Sequence, residues 1–179
     1  MCRLCLGSRR SRLCSHGLMT AFDLQRIVAQ TCAAQVEYRD EVGSTNDLAL
    51  EIVARQPPAC PLLVLADQQH VGRGRGANRW WSSPGALTFT WVLDTRSSSL
   101  PIRDWPQVSL AAALAVCDAL NELLPAVAVR LKWPNDVYLQ SRKVCGILVE
   151  SSPARAGVLL LGIGVNVNNT RAQAPVELQ

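Results

Sequence analysis

Apolar and polar positions change period along this chain, and each period predicts an element. From Phe22 to Val36 the apolar residues Leu24, Ile27, Val28 and Ala34 recur at loose helical spacing, which predicts a first amphipathic helix. Residues 36–42 read as a short strand. Ser44-Thr45-Asn46-Asp47 then precedes Leu48, Leu50, Ile52 and Val53. Ser44 as N-cap with Asp47 three residues on is a capping-box-like start, and the helix should end before Pro57-Pro58.

Residues 62–67 form a continuous apolar strand that ends in Asp67-Gln68-Gln69-His70. Residues 86–93 set Leu87, Phe89, Trp91 and Leu93 against Thr88, Thr90 and Val92, the period of a half-buried strand. A polar loop over 96–104 leads to Pro106 and an Ala-rich run, Val108, Leu110, Ala111, Leu114, Ala115, Cys117, Leu120 and Leu123, which Pro125 ends. That run predicts a mostly buried scaffold helix. Four strand-like runs follow at 127–132, 137–139, 144–150 and 158–167, with a hairpin-like turn at Gln140-Ser141-Arg142-Lys143. Helices and strands segregate, so the expected class is α+β, a mixed, largely antiparallel sheet with helices packed on it.

Composition narrows the function. At 179 residues, 49% hydrophobic and 18% charged, the chain suits one core and no comfortable second. The net charge of +4 owes much to Arg3, Arg9, Arg10 and Arg12, which meet no acid in the first twenty residues. The remainder is near neutral, which argues against a nucleic-acid partner. No apolar run reaches the ~20 residues that span a bilayer, so no membrane role is expected. Seven scattered cysteines, with Cys32, Cys117 and Cys145 in apolar surroundings, suit free buried thiols in a reducing cytoplasm. Cys2, Cys5, Cys14 and His16 match no strong zinc template, and His70 lacks a second ligand nearby, so no metal site is expected. Residues 1–20 are expected to be a disordered extension, and translation could begin at Met19.

Two polar segments carry candidate chemistry. Gly72-Arg73-Gly74-Arg75-Gly76-Ala77-Asn78-Arg79-Trp80-Trp81 lies between two strands, has glycines where a backbone must approach a ligand, and brings fixed positive charge. It is not the dinucleotide fingerprint, because Pro84-Gly85 and a strand follow it instead of a helix. An anion-cradling loop fits better than an RG-rich linker. The second segment, Lys132-Trp133-Pro134-Asn135-Asp136, joins two strands and sets a lysine beside a bulky indole, where partial desolvation is expected. A cradle and a fixed cation on one side of a sheet suit a phosphate or carboxylate, and hence electrostatic and positional chemistry as in nucleotidyl transfer.

Taken together these residues resemble the biotin protein ligase family, the biotin–[acetyl-CoA-carboxylase] ligases. Six motifs run in the family's order over residues about 40 to 168: Ser44-Thr45-Asn46; Ala66 to Arg75 with Gln69 at the glutamine place; Trp81-Ser82-Ser83-Pro84-Gly85 with one extra serine; Lys132 to Asp136; Gly146 to Glu150; and Gly162 to Val167. The resemblance implies a class II synthetase-like catalytic domain over residues 21–179. It also implies ATP-dependent activation of biotin, with Mg²⁺, to biotinyl-5′-AMP, and transfer to a lysine of the biotin carboxyl carrier protein of acetyl-CoA carboxylase. By position, Ser44, Thr45, Asn46 and Gln69 would bind the biotin ring. Arg73, Gly74 and Arg75 would hold its carboxylate and the adenylate phosphate, and Lys132 would neutralise charge on the α-phosphate. Gly72, Trp80, Asn135, Asp136, Gly146 and Asn166 are further candidates for the same site.

The resemblance also implies that the loop orders around ligand, and it allows a homodimer. The family's catalytic module continues past the point that corresponds to Gln179, so an incomplete C-terminus is expected. No repressor activity is expected, since no helix-turn-helix precedes Phe22. Two alternatives stand beside this reading: a lipoate or octanoate ligase or transferase of the same fold, for which Cys145 is the one suggestively placed nucleophile, and a non-catalytic biotin-binding module.

Overall fold

The computed structural model describes residues 22–96, 98, 100–170 and 174; the extension expected over residues 1–20 lies outside the described residues. Three helices and seven strands run in the order α1 (Leu24–Gln30), β1 (Gln35–Val42), α2 (Thr45–Arg55), β2 (Leu62–Gln69), β3 (Ala86–Asp94), α3 (Trp105–Leu123), β4 (Val129–Lys132), β5 (Asp136–Leu139), β6 (Arg142–Ser151) and β7 (Val158–Asn166). One sheet holds all seven strands in the order β1-β2-β3-β7-β6-β5-β4. Only β1 and β2 pair in parallel, with α2 as the crossover between them, and every other pair is antiparallel. The expected mixed, largely antiparallel α+β class is what forms.

Register assigns the two faces. Cys145, Ile147, Leu161, Ile163 and Val137 point to the side covered by α3, and Val36 and Leu63 to the part covered by α1. On the other face α2 buries Ala49 and Val53 against Leu62, Val64, Val92 and Leu160. A glycine-rich loop covers the remainder of that second face. Burial of this apolar surface supplies the drive, at about 25 cal/mol per Å² removed from water.

Several elements depart from the sequence reading. The first helix stops at Gln30 instead of running to Val36. The Thr31 hydroxyl accepts from the Ala33 amide at 3.2 Å, and Ala34 donates to Pro61 O at 2.8 Å, so local capping and strand pairing end the helix. Ser44 stands at the N-cap of α2 as expected, yet its side chain makes no cap hydrogen bond. Asp47 pairs with Arg73. In β3 the residues that alternate with the large apolar ones, Thr88, Thr90 and Val92, are the more deeply buried, because α2 lies on that side; the Thr90 hydroxyl meets Thr45 and Asn46 of α2, and the Thr88 hydroxyl donates to Ala66 O of β2 at 3.0 Å. Helix α3 buries one stripe only, around Trp105, Ala113 and Cys117, and leaves Leu114 and Leu123 exposed, since among the described residues no second layer covers its outer side. Cys32 is exposed, while Cys117 and Cys145 are buried as expected.

Candidate functional site

The site lies on the α2 face of the sheet, where three backbone features leave room for it. The N-terminus of α2 reaches over β3 and β7 because Gly162 has no side chain: a Cβ there would come within 2.3 Å of Asn46 Oδ1. Gly146 and Gly164 are register partners on β6 and β7, and the Trp80 indole rests on this side-chain-free patch. Between them opens a cavity of about 410 Å³.

One end of the cavity is neutral and polar. Gln69, at the end of β2, accepts from the Thr45 amide at 2.7 Å and from the Thr45 hydroxyl at 3.1 Å through the same oxygen. Thr90 Oγ1 lies 2.9 Å from Thr45 Oγ1 and 2.5 Å from Asn46 Oδ1. Ser44, Thr45, Asn46 and Gln69 are all buried, so this network has little slack. The other end is the arginine loop, which closes on itself: Trp80 donates to Gly72 O at 2.9 Å, Gly74 to Asn78 O at 2.8 Å, and the Asn78 side chain to Arg75 O at 2.9 Å. The loop is thus a small hairpin that presents its edge to the cavity.

The expected residues Ser44, Thr45, Asn46, Gln69, Arg73, Gly74, Arg75, Trp80, Asn135, Asp136 and Gly146 line this one cavity, though they come from distant parts of the chain. Gly72 is buried just behind the loop. Asn166 faces Asn169 at 2.8 Å outside the lining. Lys132 also lies outside it, exposed, with its ammonium 5.7 Å from the Tyr138 ring centroid; Trp133 is 74% exposed and does not desolvate it. Lys132 is nevertheless the register partner of Asp136, which does line the cavity, so its base sits on the site's face of the sheet.

Similarity to known proteins follows the same map. Residues 39–168 match the Biotin/lipoate A/B protein ligase family. The chain belongs to that family. Among its relatives, the bifunctional ligase/repressor BirA of Bacillus subtilis (strain 168) is 34% identical over 144 residues, which are 79% of this chain and 43% of BirA. The Aquifex aeolicus biotin protein ligase, solved in complex with biotin and ATP, is 35% identical with a TM-score of 0.63, over 80% of this chain and 56% of that one. The Leishmania major biotin protein ligase, solved with biotinyl-5-AMP, has a TM-score of 0.64 at 28% identity, covering 82% of this chain and 64% of its own. The chain thus spans about half the length of the relatives it matches.

The charges of this biotin/lipoate ligase domain divide into committed and free. Arg73 is committed: its two terminal nitrogens meet Glu150 at 2.7 and 2.6 Å, and one also meets Asp47 at 2.8 Å. Arg75 and Arg79 line the cavity, are exposed, and make no ion pair among the described residues. Lys143 was not singled out from the sequence; it lies 2.7 Å from Asp136 and 5.9 Å from the Trp80 ring centroid, on the cavity wall. Its signal was the hairpin turn, whose register sets Lys143 opposite Tyr138. Thr90, Asn78, Gly162 and Gly164 were also missed as site residues. Asn135 earns its place through the backbone, donating to Ile147 O at 2.8 Å while Ile147 N donates to Asn135 O at 3.1 Å, which fixes the Lys132–Asp136 turn to β6.

Cys145, the candidate nucleophile of a transferase, lies on the opposite face of the sheet beneath α3, fully buried, and burial pushes its thiol up to about 12. A thiol held neutral and away from the cavity has no role in acyl transfer there.

Proposed function

We propose that this domain binds biotin and MgATP, joins them as biotinyl-5′-AMP with release of pyrophosphate, and passes the biotinyl group to a lysine of the biotin carboxyl carrier protein of acetyl-CoA carboxylase. The observation that carries the reading is the polarity of the cavity. A buried hydrogen-bonding end built from Thr45, Asn46 and Gln69 faces a cationic end built from Arg75 and Arg79. Biotin has that polarity, with a ureido ring rich in donors and acceptors at one end and a carboxylate at the other. Lipoate carries a dithiolane ring with no hydrogen-bond donor, and would leave the polar end unpaired at a cost of about 1–3 kcal/mol per group.

In the first step the biotin carboxylate oxygen attacks the α-phosphorus of ATP and pyrophosphate leaves. Arg75, with Arg79 and Lys143, offsets the charge that gathers on the phosphate, and Lys132 adds to it by swinging its flexible stem toward its register partner Asp136. In the second step the carrier lysine, as free amine, attacks the acyl carbon; AMP leaves and the amine gives up a proton. Closure of the arginine loop over the mixed anhydride keeps water from intercepting it. Mg²⁺ arrives on the nucleotide as part of the substrate. Among the described residues no cluster of three metal-ligating side chains stands ready, so phosphates and water would complete its shell.

A cytoplasmic location draws support from the four described cysteines, all free. Among the described residues no helix is long and apolar enough to cross a membrane. A homodimer is a further expectation from the resemblance, to be tested by light scattering. The deciding experiment is pyrophosphate release by the purified chain with ATP, Mg²⁺ and biotin, run beside lipoate and octanoate. Release that depends on biotin alone supports the reading, release with lipoate alone transfers it to the related ligases, and biotin binding without release leaves a binding module.

A further inference from the structure

Arg73 belongs by sequence to the anion-cradling loop, yet its guanidinium is not available to an anion. Both terminal nitrogens are taken by Glu150 in a fork-to-fork pair, and one of them also meets Asp47. The three side chains together carry one net negative charge. A carboxylate or phosphate approaching those nitrogens would face two carboxylates before it reached the cation. The same Glu150 carboxylate accepts from the Asn46 side-chain amide at 2.7 Å, and Asn46 Oδ1 is in turn 2.5 Å from the Thr90 hydroxyl. One carboxylate therefore ties the glycine loop, the start of α2 and strand β6 into a single joint.

We propose that Glu150 is a positioning residue that turns Arg73 from a ligand-binding cation into a strut, so that the loop offers the ligand its backbone edge while Arg75 supplies the charge. Fork geometry suits a strut, because two parallel N–H···O bonds fix the angle of the guanidinium plane as well as its distance. It suits this loop in particular, since the glycines at 72, 74 and 76 give its backbone little stiffness of its own. Through Asn46, loss of the carboxylate would also release the polar end of the cavity. The ligand part of this inference rests on reading the cavity as an acid-activating site; the strut itself does not.

Hydrogen exchange in the empty protein tests the strut without any ligand, and affinity then tests its purpose. In Glu150→Ala and Arg73→Ala, the Gly74 and Trp80 amides should exchange at least about tenfold faster than in the wild type, while amides of β7 keep their rates. Glu150→Gln, which keeps the shape and loses the charge, should fall between. Biotin affinity, and retention of added biotinyl-5′-AMP, should drop about tenfold in both alanine variants, and the double variant should be no worse than the worse single one. Unchanged loop exchange in Glu150→Ala overturns the proposal. So does tighter biotin binding in Glu150→Ala together with weaker binding in Arg73→Ala, because that pattern marks an arginine freed to hold the ligand. If the wild type binds no acid at all, the functional reading fails and the exchange rates decide the strut by themselves.

Discussion

A Cβ on Gly162 would lie 2.3 Å from Asn46 Oδ1, so the start of α2 and strand β7 meet with no side chain between them. Gly162→Ala must push Asn46 off the sheet and break its contact with Thr90. The expected cost is about 1–3 kcal/mol, typical of overpacking a tight contact. Biotin affinity should fall with it, and calorimetry of the variant beside a urea titration separates the two losses.

Gln69→Ala removes the oxygen that accepts from both the amide and the hydroxyl of Thr45, and all of these groups are buried. Leaving them without an acceptor should cost about 1–3 kcal/mol, read as a lower urea midpoint at constant m. Gln69→Glu, which keeps the acceptor, should recover most of that stability.

Arg75→Ala and Lys132→Ala should each slow biotin-dependent pyrophosphate release about a hundredfold, with biotin affinity falling in the first and held within about twofold in the second. Lys143→Met should slow release about tenfold, because it removes a cation from the cavity wall and frees Asp136. Equal release by all three variants and the wild type would move the chemistry elsewhere.

Among the four described cysteines, peptide-resolved thiol labelling of the native protein should modify Cys32 first and Cys60, half-buried and with its thiol raised by burial, more slowly. Cys117 and Cys145 should label only after unfolding. Activity should survive labelling at Cys32.

Hydrogen bonds from Arg96 hold the Asp94 carboxyl down at about 2, below its ordinary 3.8. A folded value below the unfolded one stabilises the fold above about pH 4, and that contribution is lost as pH falls toward 2. Arg96 is exposed, so the effect is small and screened by salt. Asp94→Asn should flatten the acid limb of the stability curve between those pH values, as followed by circular dichroism.

The strands and the order of elements were legible because their periods are local: the run at 62–67 and the hairpin at 140–143 each announce themselves within a few residues. The candidate residues were legible as motifs, and eleven of them meet in one cavity. What the sequence could not convey was which partner each would find. The alternation of β3 marked a half-buried strand without saying that Thr88 and Thr90 lie on the deeper side, because a helix above a strand leaves no mark in the strand's own alternation. Arg73 and Arg75 are indistinguishable as letters, and only the fold sets Glu150, 77 residues away, against the first. Lys132 and Lys143 are likewise both plausible cations in sequence, and the bend of one hairpin decides which ammonium reaches the cavity wall.

Strand β7 is the last described strand in the chain and the fourth of seven in the sheet. Strands β1 to β3 and strands β4 to β6 therefore share no strand pairing with each other, and β7 alone joins the two groups in the sheet. The ligand cavity, whose floor is shared between β6 and β7, does not exist until residues 158–166 emerge and wedge between the halves. Closing that gap last makes assembly depend on the most distant pairing, a slow kind of step. It also makes the fold its own checkpoint: a chain that lacks its middle strand lacks half of the cavity floor.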